Sequence, residues 1–116
     1  MLLFSEMKQY VIDELRPWEY KKVKACLDER FFHGSVDGIY WIPIIQEILT
    51  ECQVEHVSCQ PFYFALEITE TRLSCELLVR TKDRVRCDCM GYATELQRNW
   101  LIQLIDSIFN ELQIKT

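Results

Sequence analysis

Residues 61–89 alternate between apolar and polar positions so regularly that they constrain the fold more than any other stretch. Phe62, Phe64, Leu66 and Ile68 interleave with Tyr63, Ala65 and Glu67, the two-residue period of a strand with one buried face. After residues 69–72 the pattern resumes, with Leu73, Cys75, Leu77 and Val79 against Ser74, Glu76, Leu78 and Arg80. After residues 81–83 it resumes again, with Val85, Cys87 and Cys89 against Arg84, Arg86 and Asp88. Three such runs joined by short polar turns predict an antiparallel meander with a dry face and a wet face.

Paired residues must share a face, which sets the register. A four-residue turn at 69–72 places Ile68 opposite Leu73 and Leu66 opposite Cys75. A turn centred on Lys82 places Val79 opposite Val85, Leu77 opposite Cys87 and Cys75 opposite Cys89. Directly opposed Cβ atoms lie about 5 Å apart, so Cys75, Cys87 and Cys89 are expected to gather on the dry face.

The flanking segments read as mostly helical. Residues 4–15 carry Leu3, Met7, Tyr10, Val11 and Leu15 at three- and four-residue spacings, predicting a helix. Pro17 is better placed as the first residue of a second helix, which runs to about Phe31 with Tyr20, Val23, Leu27 and Phe31 as its apolar stripe. His33-Gly34 and Asp37-Gly38 bracket a loop, and Ile39 to Ile42 form a short strand. Pro43 ends that strand and starts a brief helix with Ile44, Ile45, Ile48 and Leu49 on one face. Residues 51–60 fit either a fourth strand, with Val54, His56 and Ser58 alternating, or a loop. Thr94-Glu95-Leu96-Gln97 has the form of a capping box. It opens a final helix whose broad stripe holds Leu96, Trp100, Leu101, Leu104, Ile105, Ile108, Phe109 and Leu112.

Together these predict one α+β domain over residues 1–116, a two-layer sandwich. An antiparallel meander sheet of three to five strands is covered on its dry face by helices, the last helix above all. The element order resembles that of profilin-like (roadblock-type) regulatory modules and of the small acidic secretion chaperones, both of which dimerise and bind other proteins.

Composition excludes several classes. Hydrophobic residues make up 49% and charged residues 27% of the 116, an ordered globular balance that can bury roughly two-thirds of the unfolded surface. The apolar runs are too short to span a bilayer and residues 1–6 lack the form of a signal peptide, so a cytoplasmic location and no membrane partner are expected. The net charge of −5 is concentrated: residues 37–79 carry seven acids against one base. That acidic middle argues against a general nucleic-acid binder.

Six cysteines are many for a reducing compartment. Their simplest use is as small apolar core residues, with no cofactor. The alternative is zinc, held by His56 and Cys59 with Cys75, Cys87 and Cys89, a ligand set that suits a tetrahedral site although no spacing here matches a common zinc loop. A cross-strand Cys75–Cys89 disulfide is the redox version of the same cluster. Neither histidine sits in a nucleophile signature, and three glycines supply no phosphate loop. The wet face places Tyr63 and Leu78 among Arg80, Arg84 and Arg86, aromatic and aliphatic anchors beside arginines, which suits a protein interface. The expected function is therefore a small, non-catalytic binding or regulatory module whose partner is another protein or a second copy of itself.

Overall fold

The computed structural model of the chain describes residues 8–34, 36–81 and 90–115. It is an α+β fold in which the expected antiparallel sheet is present, larger than the sequence implied, with six strands among the described residues. In chain order these elements are β1 (Gln9–Ile12), α1 (Pro17–Arg30), β2 (Ile39–Pro43), α2 (Glu51–Glu55), β3 (Phe62–Ile68), β4 (Leu73–Glu76), β5 (Leu78–Thr81), β6 (Gly91–Tyr92) and α3 (Glu95–Glu111).

Strand β3 is the spine. It pairs with β2 along one side, and along the other with β4 at its end and β5 at its start. The first hairpin takes the expected register, Leu66 opposite Cys75 and Ile68 opposite Leu73, closed by the Thr69 N–H donating to the Arg72 carbonyl at 2.8 Å. Further along, Phe64 and Ala65 of β3 face four residues, Glu76 to Val79, because pairing resumes only at Tyr63–Arg80. This bulge adds an even number of residues, so it bends the ladder without turning side chains over. Leu73, Cys75, Leu77, Val79 and Thr81 all stay buried.

The outer side of β4 and β5 departs from the meander. Tyr10 of β1, not Cys89, lies beside Cys75, and Gly91 of β6, not Val85, lies beside Val79. Leu77 joins the two: its N–H donates to the Lys8 carbonyl (2.9 Å) and its carbonyl accepts from Ala93 (2.7 Å). Both lateral neighbours of Cys75 are thus taken, by Leu66 and Tyr10, and Cys87 and Cys89 themselves lie outside the described residues.

Residues 9–12 are a strand where a helix was expected. Tyr10, Val11 and Ile12 favour extended backbone, and β4 supplies the hydrogen-bond partners that a short amphipathic helix would have made within itself. Helix α1 starts at Pro17 as expected, with the Glu19 carboxylate accepting the Arg16 N–H at 2.8 Å, and it buries Val23 and Leu27. Strand β2 also forms as expected, but Pro43 starts no helix; a 3-10 turn at Gln46–Ile48 follows instead, with Ile44 buried and Ile45 exposed.

Residues 51–60 are neither strand nor simple loop. They form α2 and a 3-10 turn at Val57–Cys59. Helix α2 opens with Thr50-Glu51-Cys52-Gln53, a second capping box of the same form as the one that opens α3. In each, the threonine hydroxyl accepts the N3 N–H at 3.2 Å while the glutamine accepts the N-cap N–H, at 3.0 and 3.1 Å. The two caps then bond to each other: Gln97 Nε2 donates to Gln53 Oε1 at 2.8 Å and to the Ile48 carbonyl at 2.9 Å. Both glutamines are buried, so two helix starts are fastened by one dry polar network.

Helix α3 lays Leu101, Ile105, Ile108 and Phe109 into the core; Leu96, expected on that stripe, is exposed because the capping turn sends Gln97 inward instead. The helix ends in a Schellman motif. Gln113 takes a φ of 60°, and the Ile114 N–H reaches the Phe109 carbonyl at 2.9 Å.

Candidate functional site

The helices pack on the face of the sheet built from Tyr40, Ile42, Phe62, Phe64, Leu66 and the inward residues of β4 and β5. Alternation sends the intervening residues to the opposite face, which no described helix covers. That open face is the candidate site.

It is more apolar than the alternation suggested. Ile39 and Trp41 come from β2, Ala65 and Tyr63 from β3, Leu78 from β5 and Val11 from β1, all half-buried. Trp41 lies opposite Ala65, and its ring meets Tyr63 edge-on at 6.1 Å between centroids. Beside them Tyr92, opposite Leu78, is exposed and carries the Lys8 ammonium 5.6 Å from its ring centre.

Charge sits at fixed places on this surface. Arg80, opposite Tyr63, directs Nε and Nη2 at Glu76 Oε2, at 3.1 and 3.0 Å. Both residues stand on the same ribbon, four positions apart across the bulge. Where β3 meets β4, small Ala65 and Ser74 leave a hollow of about 260 Å³ rimmed by Glu67, Glu76, Arg72 and Gln9. Of the surface residues read from sequence, Tyr63, Leu78 and Arg80 share the face, and Arg84 and Arg86 lie outside the described residues. Tyr40 and Ile42 face inward, which turns Trp41, between them, outward to the same face.

Of the expected ligand set, His56, Cys59 and Cys75 lie among the described residues, and Cys59 and Cys75 do not converge. Cys59 ends the turn before β3, whereas Cys75 lies level with Leu66, about 13 Å of strand beyond Phe62 at ordinary rise per residue. His56 stands with Cys59, at the joint between α2 and that turn. Among the described residues no group of three or more His, Cys, Asp or Glu is placed to hold a metal ion. Cys75 is fully buried, and loss of solvent, with Glu76 beside it, raises its pKa far above the usual thiol range, which suppresses the thiolate that metal binding and disulfide exchange require.

Compared with protein-family models, curated proteins and solved structures, the chain matches none.

Two polar clusters on the helix side are ties between layers. The Tyr10 hydroxyl donates to Asp106 Oδ1 at 2.6 Å, joining β1 to α3, and burial together with that carboxylate pushes its pKa up to about 12. The Tyr40 hydroxyl donates to Asp28 in a very short bond and accepts from Lys24, which also bonds Asp37 at 3.0 Å. The His33 ring packs edge-on against Tyr40, 5.6 Å between centroids. Burial raises the Tyr40 pKa, its hydrogen bond lowers that of Asp28, and the Asp37 bond raises that of Lys24. All three shifts lead away from neutrality, the opposite of what a general acid or base needs. Among the described residues no helix is long and apolar enough to cross a membrane.

Proposed function

We propose that the chain is a non-catalytic protein-binding or regulatory module that acts through the open face of its sheet. The observation that carries this reading is the convergence of Trp41, Tyr63 and Leu78 on the face that no described helix covers, with Arg80 at their edge. Interfaces concentrate binding energy in clusters of this kind, with aromatic and arginine anchors at the centre and ionic groups around them.

Leu78 is the informative position, because it is half-buried on the outer face and its loss opens no cavity in the core. Leu78→Ala is expected to weaken self-association or partner binding about tenfold, the effect of a moderate interface contact, while leaving the thermal midpoint nearly unchanged. Sedimentation velocity and calorimetry on the purified variant measure the two. A variant as associated as the parent, with the same affinity for any partner, removes this face as the working surface.

A further inference from the structure

Resting on that reading, we infer that the partner is a second copy of the chain, seated face to face with the strands reversed. The reason is that the open face complements itself. Toward the hairpin end of β3 lies the hollow over Ala65 and Ser74, rimmed by Glu67. Toward the other end stand Tyr63 and Arg80, opposite each other across β3 and β5. A two-fold axis lying in the face and crossing the strands exchanges these ends. It brings the Tyr63 ring of each copy over the hollow of the other and Arg80 beside the partner's Glu67.

Charge supports the same arrangement. Among the described residues no base forms an ion pair with Glu67. Arg80 directs only two of its five N–H donors at Glu76, so the guanidinium has an edge for a second carboxylate. Arg72 also lines the hollow, one residue beyond the last β3–β4 pair, so the hollow's rim carries two carboxylates, Glu67 and Glu76, against one guanidinium. A two-fold axis parallel to the strands would instead bring like ends together, Glu67 near Glu67, and leave both hollows empty.

Size sets the strength. With ribbons about 4.8 Å apart and a rise of about 3.3 Å per residue, the face has a flat footprint of roughly 450 Å² per copy. That is below the ~800 Å² per partner of an ordinary specific interface, the size class of weak, concentration-dependent association.

The test is a pair of charge reversals analysed by sedimentation velocity. Glu67→Arg sets two arginine pairs against each other in its own dimer, and Arg80→Glu sets two carboxylate pairs. Each variant alone is expected to dissociate about tenfold or more readily than the parent. In an equal mixture both contacts become opposite in sign, so the mixture is expected to recover the dimer that neither variant forms. Melting curves of each variant confirm that the fold persists, which matters for Arg80→Glu because Glu76 loses its ion pair. A parent chain that stays monomeric into the millimolar range overturns the self-association and leaves the face to the separate Leu78 test. A dimer indifferent to both reversals and to Leu78→Ala forms elsewhere and overturns both readings. Variants that dissociate but do not recover on mixing overturn the reversed orientation.

Discussion

Gln97→Leu is expected to lower the stability of the fold by about 3–4 kcal/mol although the substitution adds hydrophobicity at a buried place. Gln97 donates to the Ile48 carbonyl and to Gln53 Oε1 and accepts the Thr94 N–H, at 2.9, 2.8 and 3.1 Å. Each such bond is worth about 1 kcal/mol net, and the partners left behind in a dry site add about 1–3 kcal/mol. The loss falls on two helix starts together, since Gln53, bonded to Gln97, is itself the cap of α2. Denaturant unfolding of the variant measures the loss. A change below about 1 kcal/mol would mean that the two caps act independently. Gln97→Glu is a useful companion, because it keeps the acceptor for Thr94 but loses the donor to Gln53.

Gly38→Ala is expected to cost about 2–3 kcal/mol. Gly38 has a φ of 85°, a region that only glycine visits cheaply, and a Cβ there would lie 2.9 Å from the Ile68 carbonyl oxygen. That oxygen is backbone and cannot swing aside. The same turn holds the Ile68 N–H to the Gly38 carbonyl at 2.8 Å, the first rung between β2 and β3. Loosening it would let Trp41 drift from Tyr63, so the variant should also show altered tryptophan emission while folded. A midpoint equal to that of the parent would show that the turn relaxes without strain.

The parts of this fold legible in the sequence were those governed by a single period or a local cap. Phe62 to Ile68 and Leu73 to Val79 could be assigned to faces because the bulge at Glu76 to Val79 adds an even number of residues and so hides itself from the alternation. Thr94 and Gln97 marked the start of α3 through chemistry confined to four residues. Thr50 and Gln53 repeat that chemistry, and the signal was present, but Val54, His56 and Ser58 competed with it by imitating a strand. Lateral order in the sheet was not legible. Tyr10 beside Cys75 joins residues far apart in sequence, and nothing local distinguishes an edge strand supplied by the chain's beginning from one supplied by a third hairpin arm. The strand register that would have set Cys89 beside Cys75 gives way for that reason to Tyr10, while Cys87 and Cys89 lie outside the described residues. The open face was legible in part, since alternation gave Tyr63, Leu78 and Arg80 and turned Trp41 outward, while the meeting of Trp41 with Tyr63 required knowing that β2 lies beside β3.

The most direct measurement is hydroxyl-radical footprinting of the aromatic residues as a function of protein concentration. Trp41 and Tyr63 lie on the open face, and Phe32, bridged to Trp41, flanks it, whereas Trp18 is exposed on α1, 47% accessible. The expected result is that Trp41 and Tyr63 are labelled in dilute solution and become protected on concentration or on adding a partner, with Trp18 unchanged. Protection of Trp18, with Trp41 and Tyr63 labelled equally throughout, would contradict the account and move the working surface to α1.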